Sequence, residues 1–467
     1  MATITFHGAA QEVTGSCHLI ESEALGRILL DCGMHQGGDV VSRLQDEDFP
    51  FNPTNIDAVI LSHAHMDHSG MLPKLVHQGF AGPIYCTHAT ADLLDIMLRD
   101  SAGLYERDLE RENLKLKRQG KKLVKPEYTM DDVEQTLQQC IGLDYGEQHD
   151  VGPGARLMMH DAGHILGSSI VELTLTEREL NKTLVFSGDL GKRDAVLMND
   201  PSLVRKADIV LMESTYGDRE HKTKLDTLNE LQSILSETWQ RGGNVMIPAF
   251  AVGRTQELLF YLGCLHQQGK LDNWQIFLDS PMAIEVTRVY EKWVDLLAEE
   301  DIARLNLKHK LPLEEFLPNL FLSVTPEDSM AINRIARGAI VIAGSGMCNG
   351  GRIRHHFKQR IWNRNNTLIF VGFQARGTLG RILIDGAKNI KLFGEPYVVK
   401  ARIETLGGFS AHAGQSGLVN WIGHFKPRPK VVLVHGEPRA QQALAERLWK
   451  EQQLRVTIPT NGDSLVF

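Results

Sequence analysis

The run His63-Ala-His65-Met-Asp67-His68 constrains this chain more than any other feature. It follows the apolar stretch Ala58–Leu61 and is flanked by Ser62 and Gly70. A short apolar stretch bounded by turn residues reads as a strand buried on both faces. The run therefore places imidazoles and a carboxylate at the end of a buried strand. These are the ligands zinc takes in catalytic sites. A polar surface loop is the plain alternative, and the buried strand in front of the run argues against it.

Other parts of the chain offer partners for such a site. Asp161-Ala-Gly-His164-Ile-Leu-Gly167 follows the strand read at Arg156–His160. Ser187-Gly-Asp189-Leu-Gly191 and Val431-Val-Leu-Val-His435-Gly436 end two further apolar strands. A lone strand-end histidine is usually a hydrogen-bonded cap. Several strand ends that all deliver His or Asp just before glycine point to one metal centre.

Strands with helices between and outside them fill the first part of the chain, which suggests a sheet sandwich covered by helices. From Ile209 the rhythm changes to regular strand–helix alternation, the pattern of a parallel α/β sheet. Within it Ile284–Glu300 reads as one helix. Strands return near the end. The expected organisation is a first domain over 1–208, an α/β domain over 209–396, and a return to the first domain over 397–467. A length of 467 residues accommodates this. The six cysteines are scattered with no CxxC pair, as expected of reduced thiols in a cytoplasmic protein. No signal segment is evident at Met1–Phe6, and no apolar run is long enough to span a bilayer. The formal net charge of -8 argues against binding nucleic acid through bulk charge. Any such role needs a local positive site.

Asp31, His63-x-His65-x-Asp67-His68, His164 and Asp189 resemble the successive motifs of the metallo-β-lactamase fold. Met212-Glu213-Ser-Thr-Tyr-Gly217, Gly407-Gly-Phe-Ser-Ala-His412 and His435-Gly-Glu437 resemble the extra motifs of the β-CASP ribonucleases within that superfamily. The resemblance covers essentially the whole chain. It implies an α/β fold: an αββα sandwich interrupted by an inserted β-CASP domain. It implies two Zn2+ ions, one held by His63, His65 and His164, the other by Asp67, His68 and His435, with Asp189 bridging. Asp31 would orient a ligand or the water. Glu213 and His412 would pair near the leaving group, with His412 as general acid. The implied reaction is hydrolysis of phosphodiesters in single-stranded RNA, in RNA processing or degradation, with a 5′-phosphate on one product. Two zincs suit this because they generate a nucleophile from water at neutral pH and neutralise phosphoryl charge.

After the ligand carboxylates and hydroxide are counted, such a core is only weakly positive, so basic groups must help to hold RNA. Three glycine-containing stretches offer them: Pro248–Arg254, Ala343–Met347 and Gln374–Arg381. Glycine lets backbone N–H groups approach phosphate closely. Arg254, Arg376 and Arg381 could clamp phosphates, with Ser345, Gly346 and Thr378 in the same loops. Phe250, Phe373 or Phe409 could stack a base, although a core role suits each better. Two rival readings are a hydrolase of a small ester, thioester or lactam, and a non-catalytic RNA-binding subunit. The insertion with Glu213 and His412 disfavours the first; the complete ligand set disfavours the second. A homodimer is neither required nor excluded by the sequence.

Overall fold

Ala58–Ile60 is a fully buried strand. It pairs in parallel with Gly26–Leu30 on one side and Ile84–Thr87 on the other. These belong to a seven-stranded sheet that begins with Ser464–Val466 antiparallel to Thr3–Phe6, so the two ends of the sequence meet at one edge. The structure is a computed structural model, described for residues 2–23, 26–35, 40–177, 180–304, 316–372, 374–375 and 377–467.

A second seven-stranded sheet sets Leu180–Phe186, Ile209–Glu213 and Lys430–Val434 side by side in parallel. Alternate side chains of the two sheets share one core: Ile28, Leu30 and Ile60 from the first, with Leu173, Phe186, Leu211 and Val434 from the second. The other face of the second sheet packs Val210, Met212 and Leu433 against Leu418 and Ile422 of helix Gln415–Ile422 and Leu444 of helix Pro438–Gln452. The 31-residue helix His88–Arg118 lies against the first sheet at Ile84–Thr87 and Cys140–Leu143. This is the αββα layering expected when each sheet buries both faces.

These elements form one compact unit: 1–193, 200–220 and 412–467. The second unit comprises 194–199 and 221–411. Its six-stranded sheet is parallel throughout, in the order Leu320–Leu322, Gln275–Asp279, Ala339–Ala343, Val245–Pro248, Thr367–Phe370, Arg402–Thr405. Val245, Ile247, Ile340, Ile342 and Ile369 face one core, while Met246, Leu368 and Phe370 face another.

Two sequence expectations change. Strand Ile209–Glu213 pairs within the sandwich, and Arg402–Thr405 pairs within the parallel sheet. The main segment of the second unit therefore runs from His221 to Ala411, joined by 194–199, where 209–396 was expected. A buried parallel strand has the same apolar composition in either sheet, so composition does not place it. Ile284–Glu300 is also not one helix. Helix Pro281–Lys292 gives way to a 3-10 turn at Val294–Leu296, then helix Glu299–Arg304. The break lets Leu197 dock there: its N–H donates to Asp301 Oδ2 at 2.9 Å, and its carbonyl accepts from Ala298 N–H at 2.9 Å.

Candidate metal centre

Every residue of the candidate centre belongs to the first unit. His63 leaves the end of strand Ala58–Ile60, and the short helix Met66–Ser69 turns Asp67 and His68 back toward it. His164 and Asp189 follow strands Ala155–Asp161 and Leu180–Phe186; His435 follows Lys430–Val434. His63, His65, His164 and Asp189 form one group able to hold a metal ion, and Asp67, His68 and His435 form another. Their ligand atoms within each group lie within 4.8 Å of one another.

The nitrogens converge closely. His63 Nε2 is 3.1 Å from His65 Nδ1, which is 3.2 Å from His164 Nε2. A tetrahedral zinc with bonds of about 2.0–2.1 Å sets its ligands roughly 3.3 Å apart. Asp189 Oδ2 lies 3.5 Å from His63 Nε2, 3.5 Å from His164 Nε2 and 3.4 Å from His68 Nε2. One oxygen thus stands between both groups.

Neighbouring side chains determine which nitrogen faces inward. Asp31 is fully buried, and its Oδ2 accepts from His68 Nδ1 at 2.7 Å, leaving His68 Nε2 toward the centre. Asp31 also accepts from Ser16 Oγ at 2.9 Å and from Ser62 N–H at 2.8 Å. Ser62 Oγ donates to Asp31 and therefore accepts from His63 Nδ1 at 3.0 Å. Thr215 Oγ1 donates to His435 O and accepts from His435 Nδ1, both at 3.1 Å. His68 Nε2, His435 Nε2 and Asp189 Oδ1 remain buried with no hydrogen-bond partner. Buried polar atoms without partners are costly; gathered among the two ligand groups, they fit divalent cations. Orientation of this kind is what tunes metal-ligating histidines. The sequence names Ser62 only as a flank of the His63–His68 run and Thr215 only as a member of Met212–Gly217, and Ser16 lies in none of the motifs.

Burial first, then the neighbouring imidazoles, hold His63 and His164 well below the ordinary histidine pKa. His65 falls to about 4, mainly through burial. They are neutral at pH 7, the form that binds metal. Burial opposes the charge on Asp189, but His435, His68 and His412 hold it well below the usual carboxylate range.

Glu213 and His412 lie beside this set. Glu213 is fully buried; its Oε1 accepts from Leu190 N–H at 2.8 Å and from His412 Nδ1 at 3.1 Å, and its Oε2 accepts from Thr215 N–H at 3.1 Å. Ala413 N–H donates to Leu190 O at 2.7 Å, which fixes the backbone beside His412. His412 Nε2 stands 3.9 Å from Asp189 Oδ2, with the side chain 20% exposed. Burial disfavours its charge, yet Glu213 and Asp189 raise its pKa to about 9. Cations held by Asp189 would draw that value back toward neutrality.

The residues proposed from the glycine-containing loops lie in the second unit, after strands Val245–Pro248, Ala339–Ala343 and Thr367–Phe370 at the carboxyl edge of the sheet. The loops are tied together. Gln374 Nε2 donates to Gly346 O at 3.0 Å, and a side chain at Gly346 would strike the Phe250 ring. Ser345 Oγ bonds within its own loop, at Gly350. Thr378 caps helix Leu379–Ile384 through Arg381 N–H. Arg254 is 11% exposed and paired with Glu257 at 2.5 Å, and Arg381 pairs with Asp385 at 2.9 Å. Arg376 and Phe373 lie outside the described residues. Phe409 is core, packed at 5.0 Å from Tyr261.

A two-sheet sandwich whose strand ends gather this His/Asp set defines a metal-dependent hydrolase of the metallo-β-lactamase superfamily. That superfamily's model matches residues 10–234, the Beta-Casp domain matches 255–383, and the Zn-dependent metallo-hydrolase RNA specificity domain matches 396–459. The chain is 41% identical to Ribonuclease TTHA0252 of Thermus thermophilus, over 94% of each chain. It is 30% identical to the RNase J-like protein of Methanocaldococcus jannaschii over the whole of both. It is 32% identical to the transcription termination factor FttA of Methanothermobacter thermautotrophicus, over 99% of this chain and 71% of that one. The chain belongs to the β-CASP ribonuclease family.

Proposed function

We propose that this chain is a zinc-dependent ribonuclease hydrolysing phosphodiester bonds of single-stranded RNA at a pair of Zn2+ ions. The observation that carries the reading is Asp189 Oδ2, 3.4–3.5 Å from imidazole nitrogens of both ligand groups. His63, His65 and His164 would hold one ion; Asp67, His68 and His435 would hold the other, with Asp189 shared. When bound, the ions supply Lewis acidity toward the phosphoryl group and a water-derived nucleophile at neutral pH.

The chain's own groups do the rest. Asp31, Ser62 and Thr215 keep His68, His63 and His435 in the tautomers that present a lone pair. Glu213 accepts from His412 Nδ1, which leaves His412 Nε2 as the proton donor to the leaving 3′-oxygen. The matched RNA specificity domain and the ribonuclease among the relatives support RNA over a small ester, thioester or lactam. The tied loops at the carboxyl edge of the parallel sheet would supply backbone N–H groups to phosphates. Arg254 and Arg381 would each have to exchange an acidic partner for phosphate.

The test is digestion of end-labelled and circular RNA by zinc-loaded protein, beside a thioester and lactam panel. Asp189→Ala or His435→Ala is expected to abolish RNA cleavage and to lower bound zinc. Unchanged cleavage by metal-stripped His63→Ala/His65→Ala protein would refute the mechanism. Cutting of the circle would establish endonuclease activity.

A further inference from the structure

The segment from Arg352 to Arg402 carries eleven arginines and lysines against Asp385 and Glu395, in a chain of formal net charge -8. Several are already engaged: Arg352 with Asp279, Arg381 with Asp385, Arg402 with Glu237, and Arg360 buried against Ile332 O. Another, Arg354, lies against an exposed ring. Phe393, 49% exposed, stands at the tip of the hairpin formed by Asn389–Leu392 and Glu395–Val398. The Arg354 guanidinium lies 4.9 Å from its ring centroid, and the His355 ring lies 4.6 Å away at 31°. Lys358, one turn along the same helix Ile353–Arg360, neighbours Tyr397 of the hairpin. Ile390 and Leu392 are buried in the core, so the alternation of the strand turns Lys391 outward.

The backbone at Phe393 is left-handed, with φ 51°. Glycine or asparagine adopts that conformation readily and phenylalanine does not. A turn needed only to reverse the chain has no use for an aromatic ring there. Burial, then His356, Arg354 and Lys358, lower the pKa of His355, so the ring packed against Phe393 is neutral at pH 7. Exposed aromatic planes interleaved with cations are the construction that binds single-stranded nucleic acid: bases stack and phosphates meet the charges. An acidic protein surface would need the charges but not the ring.

We propose that Arg354, His355, Lys358, Lys391 and Phe393 form an additional contact surface for single-stranded RNA, carried wholly by the second unit. One base stacks at Phe393, and flanking phosphates meet Lys358 and Lys391. The inference rests on the ribonuclease reading above.

Fluorescence anisotropy with a labelled oligouridylate tests it on the full zinc-loaded chain. Hydrolysis of bis(p-nitrophenyl) phosphate, which carries neither a nucleobase nor a flanking phosphate, serves as the control. Phe393→Leu is expected to weaken RNA binding about tenfold. Lys358→Ala/Lys391→Ala is expected to reduce the log–log salt slope by about 1.4, the value for two phosphate contacts on a single strand. Both variants should hydrolyse the small diester at the wild-type rate. Wild-type affinity and slope in both variants would overturn the proposal. So would loss in the lysine variant with none in Phe393→Leu, which would mark a bare anion surface. Wild-type protein that hydrolyses the diester but neither binds nor cuts RNA would instead refute the ribonuclease reading.

Discussion

Replacing Asp31 with asparagine separates the charge of this residue from its backbone. Asp31 sits at φ 61°, a left-handed conformation that asparagine tolerates better than other non-glycine residues. The substitution therefore adds little strain and keeps the volume. Its Oδ1 can still accept from Ser62 N–H. The new amide group, however, must face His68 Nδ1, where a carboxylate oxygen now accepts at 2.7 Å. Two donors cannot share that contact. The imidazole relieves the conflict by moving its proton to Nε2, the nitrogen that faces the centre. A protonated Nε2 has no lone pair for a metal. Loss of such a supporting partner typically weakens metal binding 10–100-fold, about 1.4–2.7 kcal/mol. The assay is competition for zinc against a chromophoric chelator at pH 7.5, with urea unfolding of the metal-free protein run in parallel. The expected result is a Kd for the weaker zinc raised 10–100-fold. An unchanged zinc Kd would refute the tautomer argument, whatever happened to RNA cleavage.

His412→Ala is expected to lower kcat on RNA about 10²–10⁴-fold, as loss of a general acid does, with zinc content by atomic absorption unchanged. His35, 3.2 Å from Glu12 and 3.4 Å from Glu47, has its pKa raised to about 10, mainly by hydrogen bonds to those carboxylates. The raised value makes this contribution to stability complete below about pH 6.5 and lost as pH rises toward 10. Urea midpoints of His35→Gln should therefore fall less than wild type between pH 6 and pH 10; equal slopes would contradict the assignment. Lys74 is fully buried, donating to Leu44 O at 2.5 Å and Glu47 O at 2.7 Å, with Glu127 at 3.1 Å. Lys74→Met, which leaves those acceptors without their donor, should destabilise the protein by about 3 kcal/mol in urea unfolding.

The residues that converge at the candidate centre were readable because His and Asp at buried strand ends are chemically unusual, and the run from His63 to His68 concentrates them. Their supports were not. Ser16 and Ser62 are residue types that mostly face water, and they meet Asp31 because Gly26–Leu30 pairs in the observed registers with His18–Ser22 and Ala58–Ile60. Alternating strands and helices revealed both layered sheets but not which sheet Ile209–Glu213 or Arg402–Thr405 joins, since pairing is decided by neighbours distant in sequence. The partners of Arg254 and Arg381 were within reach: Glu257 and Asp385 stand three and four residues on, the spacing of helical ion pairs.

Strand Lys430–Val434 inserts beside Ile209–Glu213 and delivers His435, whose backbone N–H donates to Ala9 O at 2.7 Å. Synthesis proceeds from the N-terminus, so a nascent chain paused anywhere in the second unit already carries His63 through Asp189 but lacks both His412 and His435. On the roles proposed above, its centre would have neither its last metal ligand nor its proton donor. On those roles a nuclease assembled in this order would stay inert beside the messenger that encodes it until strand Lys430–Val434 has left the ribosome.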